Sequence, residues 1–152
     1  MWYNGNTMRI LVLDDDDNRH SYFRRQFIGH DVTHVHTYSK CMEALLSQDP
    51  FEVVFLDHDL NDNGYRSLAH ERPGATQREL TQYSREGELD GRDVAEDMVQ
   101  FLSTEKRPYQ VVVHSWNPEG AKEMMAILRD GGFENVVRWE FNPRTDLKLN
   151  GK

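Results

Sequence analysis

The sequence predicts an α/β domain: a five-stranded parallel sheet with helices on both faces and a long insertion after the third strand. Three observations predict it. The short apolar runs Ile10-Leu11-Val12-Leu13, Val53-Val54-Phe55-Leu56 and Val111-Val112-Val113 each stop abruptly on polar residues, as fully buried central strands do. Stretches with helical spacing of apolar residues separate them, and such alternation implies parallel strands joined by right-handed crossovers. With 152 residues, the chain is long enough for one domain with a real core and too short for two.

The first run ends on Asp14-Asp15-Asp16-Asp17 and leads into a helix from about Asn18 to Ile28. Asp31 to His36 carries only Val32 and Val35 among polar residues, which suits a strand nearer an edge. Ser39 is placed to cap a second helix that buries Met42, Leu45 and Leu46, and Pro50 closes it. The next buried strand ends on Asp57-His58-Asp59. From Asn61 to Asp90 the apolar rhythm fails, with Gly64, Pro73, Gly74 and Gly87 breaking a polar stretch. A loop of that length inside one domain is commonly functional, so it is expected to form a mobile lid carrying Arg66, Arg72, Arg78 and Arg85, at least one of which contacts ligand. Order returns at Gly91, where Val94, Met98, Phe101 and Leu102 share a helical face. The third apolar run ends on His114-Ser115-Trp116-Asn117. Asn117 and Pro118, a cap and a first-turn proline, then start a helix burying Ala121, Met124, Met125 and Leu128. Gly131-Gly132 ends that helix, Asn135 to Arg138 gives the last strand, and residues 142–152 read as a tail.

Composition narrows the partners. Hydrophobic residues at 38% and charged residues at 29% are those of a globular chain. A formal charge of -8 disfavours a nucleic-acid polymer, which needs clustered Lys and Arg, and favours a metal or a small ligand. The single cysteine, Cys41, has no disulfide partner and reads as a small buried hydrophobe. No apolar run approaches the length of a membrane span and the first residues lack a signal-peptide pattern, so a cytoplasmic location is expected.

In open parallel sheets, ligands bind beyond the carboxyl ends of the central strands, and three unusual clusters fall there. Converging carboxylates must be relieved by a proton or a cation. Asp14, Asp15, Asp57 and Asp59 are the expected metal ligands, and an all-oxygen set favours Mg²⁺ or Mn²⁺. Asp16 and Asp17 read instead as a solvated helix start. His114 and His58 are the groups able to move protons near neutral pH, although alternation along a strand should turn His58 away from Asp57. Ser115 and Asn117 can donate hydrogen bonds to phosphate beside the helix that begins at Pro118. His34 and His36 share a strand face, yet a solvated edge strand accounts for them better than a metal site. Asp59 to Gly64 matches the opening of a calcium loop, but position twelve is His70, so the segment reads as a turn.

Taken together, Arg9 to Phe141 resembles the receiver domain of response regulators, with Asp14-Asp15 as the paired acids and Asp57 in the phosphoacceptor position. The closer likeness is to the cyclic-phosphate-processing receiver family, carried by Leu56-Asp57-His58-Asp59-Leu60 and His114-Ser115-Trp116-Asn117-Pro118. The resemblance implies a receiver-like (flavodoxin-like) sheet of order 2-1-3-4-5 and cleavage of a cyclic phosphate linkage of a nucleotide or nucleotide-derived signal. His114 and Ser115 stand where an ordinary receiver has a hydroxyl and a small residue, and Arg138-Trp139-Glu140 replaces its Lys-Pro. The leading expectation is therefore a metal-dependent phosphoesterase, in which Asp57 helps to polarise the phosphate and His114 transfers a proton. A phosphoacceptor modified on Asp57 and a protein that sequesters a nucleotide unchanged are the alternatives.

Overall fold

The computed structural model describes residues 7–60, 89–115 and 117–140. Five strands, β1 (Arg9–Leu13), β2 (Asp31–Val35), β3 (Val53–Leu56), β4 (Gln110–Val113) and β5 (Val136–Arg138), form one sheet. Among the described residues, the α-helices that connect or flank them are α1 (Asp17–Gln26), α2 (Tyr38–Ser47), α3 (Gly91–Phe101) and α4 (Pro118–Asp130). The strand order is β2-β1-β3-β4-β5 and every pairing is parallel, as the resemblance implied. Arg66, Arg78, Arg85, most of the insertion and of the calcium-loop-like turn, and the 142–152 tail lie outside the described residues.

Side chains alternate across the sheet and so divide the core in two. Ile10, Val12, Val53, Phe55 and Val112 face α1, where Tyr22, Phe23 and Phe27 cover them. Leu11, Leu13, Val54, Leu56, Val111 and Val113 point the other way, onto α2, α3 and α4. Phe23 is fully buried, and its ring lies 4.9 Å from that of Phe55. Burial on this scale is worth about 2 to 3 kcal/mol for such a side chain.

Register decides what the carboxyl end of the sheet presents. Leu13 pairs with Leu56, and Leu56 with Val113, so the three central strands finish level. The ladder continues one step further, with Asp57 N donating to Leu13 O (3.1 Å) and His114 N donating to Leu56 O (3.0 Å). Asp14, Asp57 and His114 therefore emerge side by side.

Several local expectations are met and others corrected. Asp16 caps α1 by accepting from the backbone N–H groups of Asn18 and Arg19, and Asn117 caps α4 by accepting from Gly120 N. The cap of α2 is Thr37 rather than Ser39, its hydroxyl accepting from Lys40 N. Leu46 and Phe101 are exposed, at 48% and 55%, although their neighbours Leu45 and Leu102 are buried. Met125 only flanks the core. Cys41 is fully buried, which pushes its thiol pKa far up and leaves it unreactive. Among the described residues, no helix is long and apolar enough to cross a membrane.

A candidate acidic site at the carboxyl ends of the strands

Asp14, Asp15 and Asp57 converge where β1 and β3 end, each offering a carboxylate oxygen within 4.8 Å of the others. Asp14 is completely buried and Asp57 nearly so. Both oxygens of Asp14 are fully used: Oδ1 accepts from Arg19 Nη2 (2.8 Å) and Asp16 N (2.8 Å), Oδ2 from Arg19 Nε (2.6 Å) and His114 Nε2 (2.8 Å). Burial by itself pushes the Asp14 pKa up, but the hydrogen bonds from His114 and Arg19 outweigh it and hold the carboxyl well below the usual range. Asp57 goes the opposite way. Burial first, and then the charge of Asp14, raise its pKa from 3.8 to about 8, with Arg19 compensating only in part. The repulsion expected from converging carboxylates is thus relieved twice, by a guanidinium and by a proton on Asp57.

Arg19 is the residue that sequence reasoning missed. It leaves the first turn of α1 and turns back over the acids, with Nη2 at 2.8 Å from Asp14, 3.5 Å from Asp15 and 3.4 Å from Asp57. Its guanidinium pKa is raised, burial working against and the hydrogen bond to Asp14 for it. A spacing of four residues from Asp15, one helical turn, was the available signal.

His114 lies beneath this layer. It is fully buried, in edge-on contact with Phe23 (5.3 Å between ring centroids). An ionised carboxylate only accepts, so Nε2–H is the donor to Asp14, and the buried Nδ1 has no hydrogen-bond partner among the described residues. The contact it makes is with Asp14, whose orientation it fixes. His20 steadies the same residue through its backbone, with Nε2 on the Asp14 carbonyl at 2.7 Å. A carbonyl also only accepts, so His20 Nδ1 is an acceptor and His34 Nδ1, 2.6 Å away, is the donor. His34 is therefore half-buried against α1 rather than solvated, and burial lowers its pKa to about 4. His36 keeps to the surface with Asp17 at 2.7 Å.

At the rim stands His58. The chain bends there once β3 has ended at Leu56, so strand alternation no longer applies. Asp59, expected among the ligands, instead turns outward with a 62% exposed side chain and holds His58 Nδ1 at 2.7 Å. His58 Nε2 is 3.7 Å from Asp90, whose pKa is raised, chiefly by burial. Two glycines let helices close on this corner. A Cβ on Gly91, the first residue of α3, would stand 2.0 Å from the Asp57 carbonyl oxygen, and one on Gly120 would stand 2.5 Å from the His58 ring. Ser115 Oγ accepts from Asn117 N (3.0 Å) and Asn117 Oδ1 accepts from Gly120 N (3.0 Å), so both oxygens are committed to the start of α4. Arg138 Nη2 donates to the Ser115 carbonyl at 3.4 Å.

A cavity of about 540 Å³ lies at the opposite end of the sheet, between Arg107, Tyr109, Phe133 and Asn135. It opens at the amino ends of β4 and β5, away from where such sheets place ligands, and Arg107 there is engaged by the carbonyls of Val99, Leu102 and Gly131. The chemistry is concentrated at the acidic end.

A parallel sheet of order 2-1-3-4-5, with paired acids after β1 and a third after β3, defines a receiver-type α/β domain. The chain belongs to the cyclic-phosphate processing receiver domain family, whose model matches residues 9–130. Solved structures agree on the fold. A CheY-like receiver domain from Methanospirillum hungatei JF-1 superposes with a TM-score of 0.57 at 16% identity, covering 91% of this chain and 86% of that one. The phosphorylated cyanobacterial phytochrome response regulator RcpA gives 0.56 at 16%, covering 91% and 84%. The receiver domain of sensor histidine kinase PA1611 from Pseudomonas aeruginosa PAO1 gives 0.56 at 14%, covering 91% and 89%, and it has a magnesium ion coordinated in its active site cleft. No curated protein matches the chain.

Proposed function

We propose that this chain is a metal-dependent phosphoesterase that opens a cyclic phosphate linkage of a nucleotide or nucleotide-derived signal. The observation that carries the reading is the convergence of Asp14, Asp15 and Asp57 within 4.8 Å at the carboxyl ends of the strands, beside a histidine already oriented by Asp59. The family's description and the magnesium in the PA1611 receiver support it. The donor set fits a hard divalent ion such as Mg²⁺ or Mn²⁺: it is all oxygen, and burial together with the neighbouring charge of Asp14 raises the Asp57 pKa, a penalty that a bound cation would relieve. Asp14, Asp15 and Asp57 would hold the ion, which supplies Lewis-acid polarisation of the phosphoryl group.

The protein's own groups supply the proton traffic and the positioning. His58 Nε2 takes a proton from the attacking water and returns it to the ester oxygen as that P–O bond breaks, leaving an open monoester. Asp59 stabilises the imidazolium formed in between. The amino end of α4 beside His58 adds its dipole to the attraction of phosphate oxygens. His114 keeps Asp14 in place from below. A cytoplasmic location and a small phosphate-containing ligand, rather than a nucleic-acid polymer, go with the reading and suit a net charge of -8.

Hydrolysis of a panel of cyclic mononucleotides, cyclic dinucleotides and cyclic ADP-ribose isomers, with Mg²⁺ or Mn²⁺ and with chelator, tests it. Turnover of at least one member, abolished by chelator and by Asp57→Asn, is expected. Failure to turn over every member refutes the proposal. Phosphoacceptance is favoured only by the position of Asp57 after β3, and intact mass after incubation with acetyl phosphate separates the two. A metal-dependent phosphate adduct lost in Asp57→Asn, without cyclic-phosphate turnover, would select that second reading. Recovery of a tightly bound nucleotide unchanged after denaturation would instead indicate sequestration.

A further inference from the structure

Arg19 stands where the metal should. Its Nη2 is within 3.5 Å of Asp14, Asp15 and Asp57, the same three acids whose oxygens cluster within 4.8 Å. Mg²⁺ takes oxygen ligands at about 2.0 to 2.1 Å, so the ion and this nitrogen cannot share the space. A guanidinium does not lose its proton at any ordinary pH, and Arg19 can give way only by moving. It has a route: the side chain is 23% exposed, whereas the Asp14 carboxylate beneath it is wholly buried. Its backbone is fixed in the first turn of α1, which Phe23 anchors in the core, so the freed group remains beside the acids.

We infer that Arg19 is an exchangeable counter-ion, which offsets part of the charge of Asp14, Asp15 and Asp57 until a divalent ion enters and then turns outward to clamp the phosphate oxygens of the ligand. The inference rests on the metal-dependent reading and adds how the site is regulated. The planar fork now spent on the two oxygens of Asp14 has the geometry for two phosphate oxygens. Metal and phosphate then bind cooperatively, because each stabilises the outward position of the same side chain, and the coupling must be reciprocal. Before either arrives, Arg19 offsets part of the negative charge, and the domain can fold without metal.

One substitution should act in opposite directions on the two ligands, which a merely structural arginine would not do. In full-length Arg19→Gln, calorimetry with MgCl₂ alone should show binding at least about tenfold tighter than in the unsubstituted protein, since the competitor is gone. With Mg²⁺ saturating, inorganic phosphate should bind about tenfold more weakly, since the clamp is gone. The unsubstituted protein carries its own readout: the Arg19 Nε–Hε NMR signal should shift on adding MgCl₂ and shift again on adding phosphate. Equal Mg²⁺ affinity in the two proteins, or an Nε–Hε signal unmoved by saturating Mg²⁺, overturns the switch while leaving the metal site standing. Binding by Arg19→Gln alone shows a permanent counter-ion and also overturns it. Absence of binding to both proteins removes the metal reading and the switch together.

Discussion

Replacing Asp57 with Asn removes an ionisable group from a site that holds too many, and the structure gives the size and sign of the effect. The folded-state pKa of about 8 lies above the ordinary 3.8, so between those values the folded protein carries a proton that the unfolded chain has released. Stability contributed in this way is fully present below about pH 4 and declines through the interval at up to ~1.4 kcal/mol per pH unit, until it is lost above about pH 8. The whole displacement corresponds to ~6 kcal/mol. Water and side chains, Arg19 at 3.4 Å among them, rearrange around the ionised carboxylate, and such relaxation leaves roughly half, about 3 kcal/mol, as the expected difference. Asn keeps the shape and can still accept from His58 N, now bonded to Asp57 Oδ1 at 3.0 Å. Denaturant unfolding in chelator should therefore find Asp57→Asn more stable by about 3 kcal/mol near pH 8.5 and within about 1 kcal/mol of the parent near pH 4.5. Added Mg²⁺ should reverse the order at high pH, because only the parent retains the full ligand set. A variant no more stable than the parent at either pH would refute the account of Asp57 as a carboxylate strained by burial beside Asp14.

Other expectations follow from the same geometry. His58→Asn should lower kcat by about 100-fold or more while leaving Mg²⁺ affinity within a factor of about two, as steady-state kinetics and calorimetry can check. Gly120→Ala puts a carbon where the His58 ring packs, at 2.5 Å, so it should cut kcat by displacing the imidazole without weakening metal binding. Gly91→Ala places a Cβ against the Asp57 backbone, which cannot yield as a side chain can, and should cost about 2 kcal/mol or more in an unfolding measurement. Phe23→Ala should cost about 3 to 5 kcal/mol by opening a cavity between α1 and the sheet, and should loosen Arg19 one turn away.

The sheet was legible because buried parallel strands write themselves as unbroken apolar runs, and the polar residues that stop those runs mark the ends where the site is built. Asp14, Asp15 and Asp57 were found by that logic. Asp59 was placed with them by extending strand alternation past Leu56, where the chain bends and the period of two ends. Arg19 and His20 were missed for a different reason: α1 is so rich in charge that its inner face is hidden among solvated residues. His20, Phe23 and Phe27 do share one face, at spacings of three and four, and that pattern was the readable sign that His20 is buried. His114 was recognised as special from its place after β4, but only the side-chain geometry tells that Nε2 is spent on Asp14. Whether a polar group faces ligand or supports a neighbour depends on tertiary contacts, which sequence spacing does not encode.

The hydrogen bond from Gly91 N to His58 O, 2.9 Å long, fastens the chain on both sides of residues 61–88 at a single spot beside the acids. This clasp holds the end of β3 and the start of α3 together, and in general the cost of closing a flexible loop rises only about 0.6 kcal/mol for each doubling of its length. The corner thus works as a socket: its rigid half is the carbonyl end of β3 and the glycine that opens α3. A segment of different length or composition can be spliced between Leu60 and Leu89 with Asp57, His58 and the start of α3 left in register, which leaves the acids undisturbed.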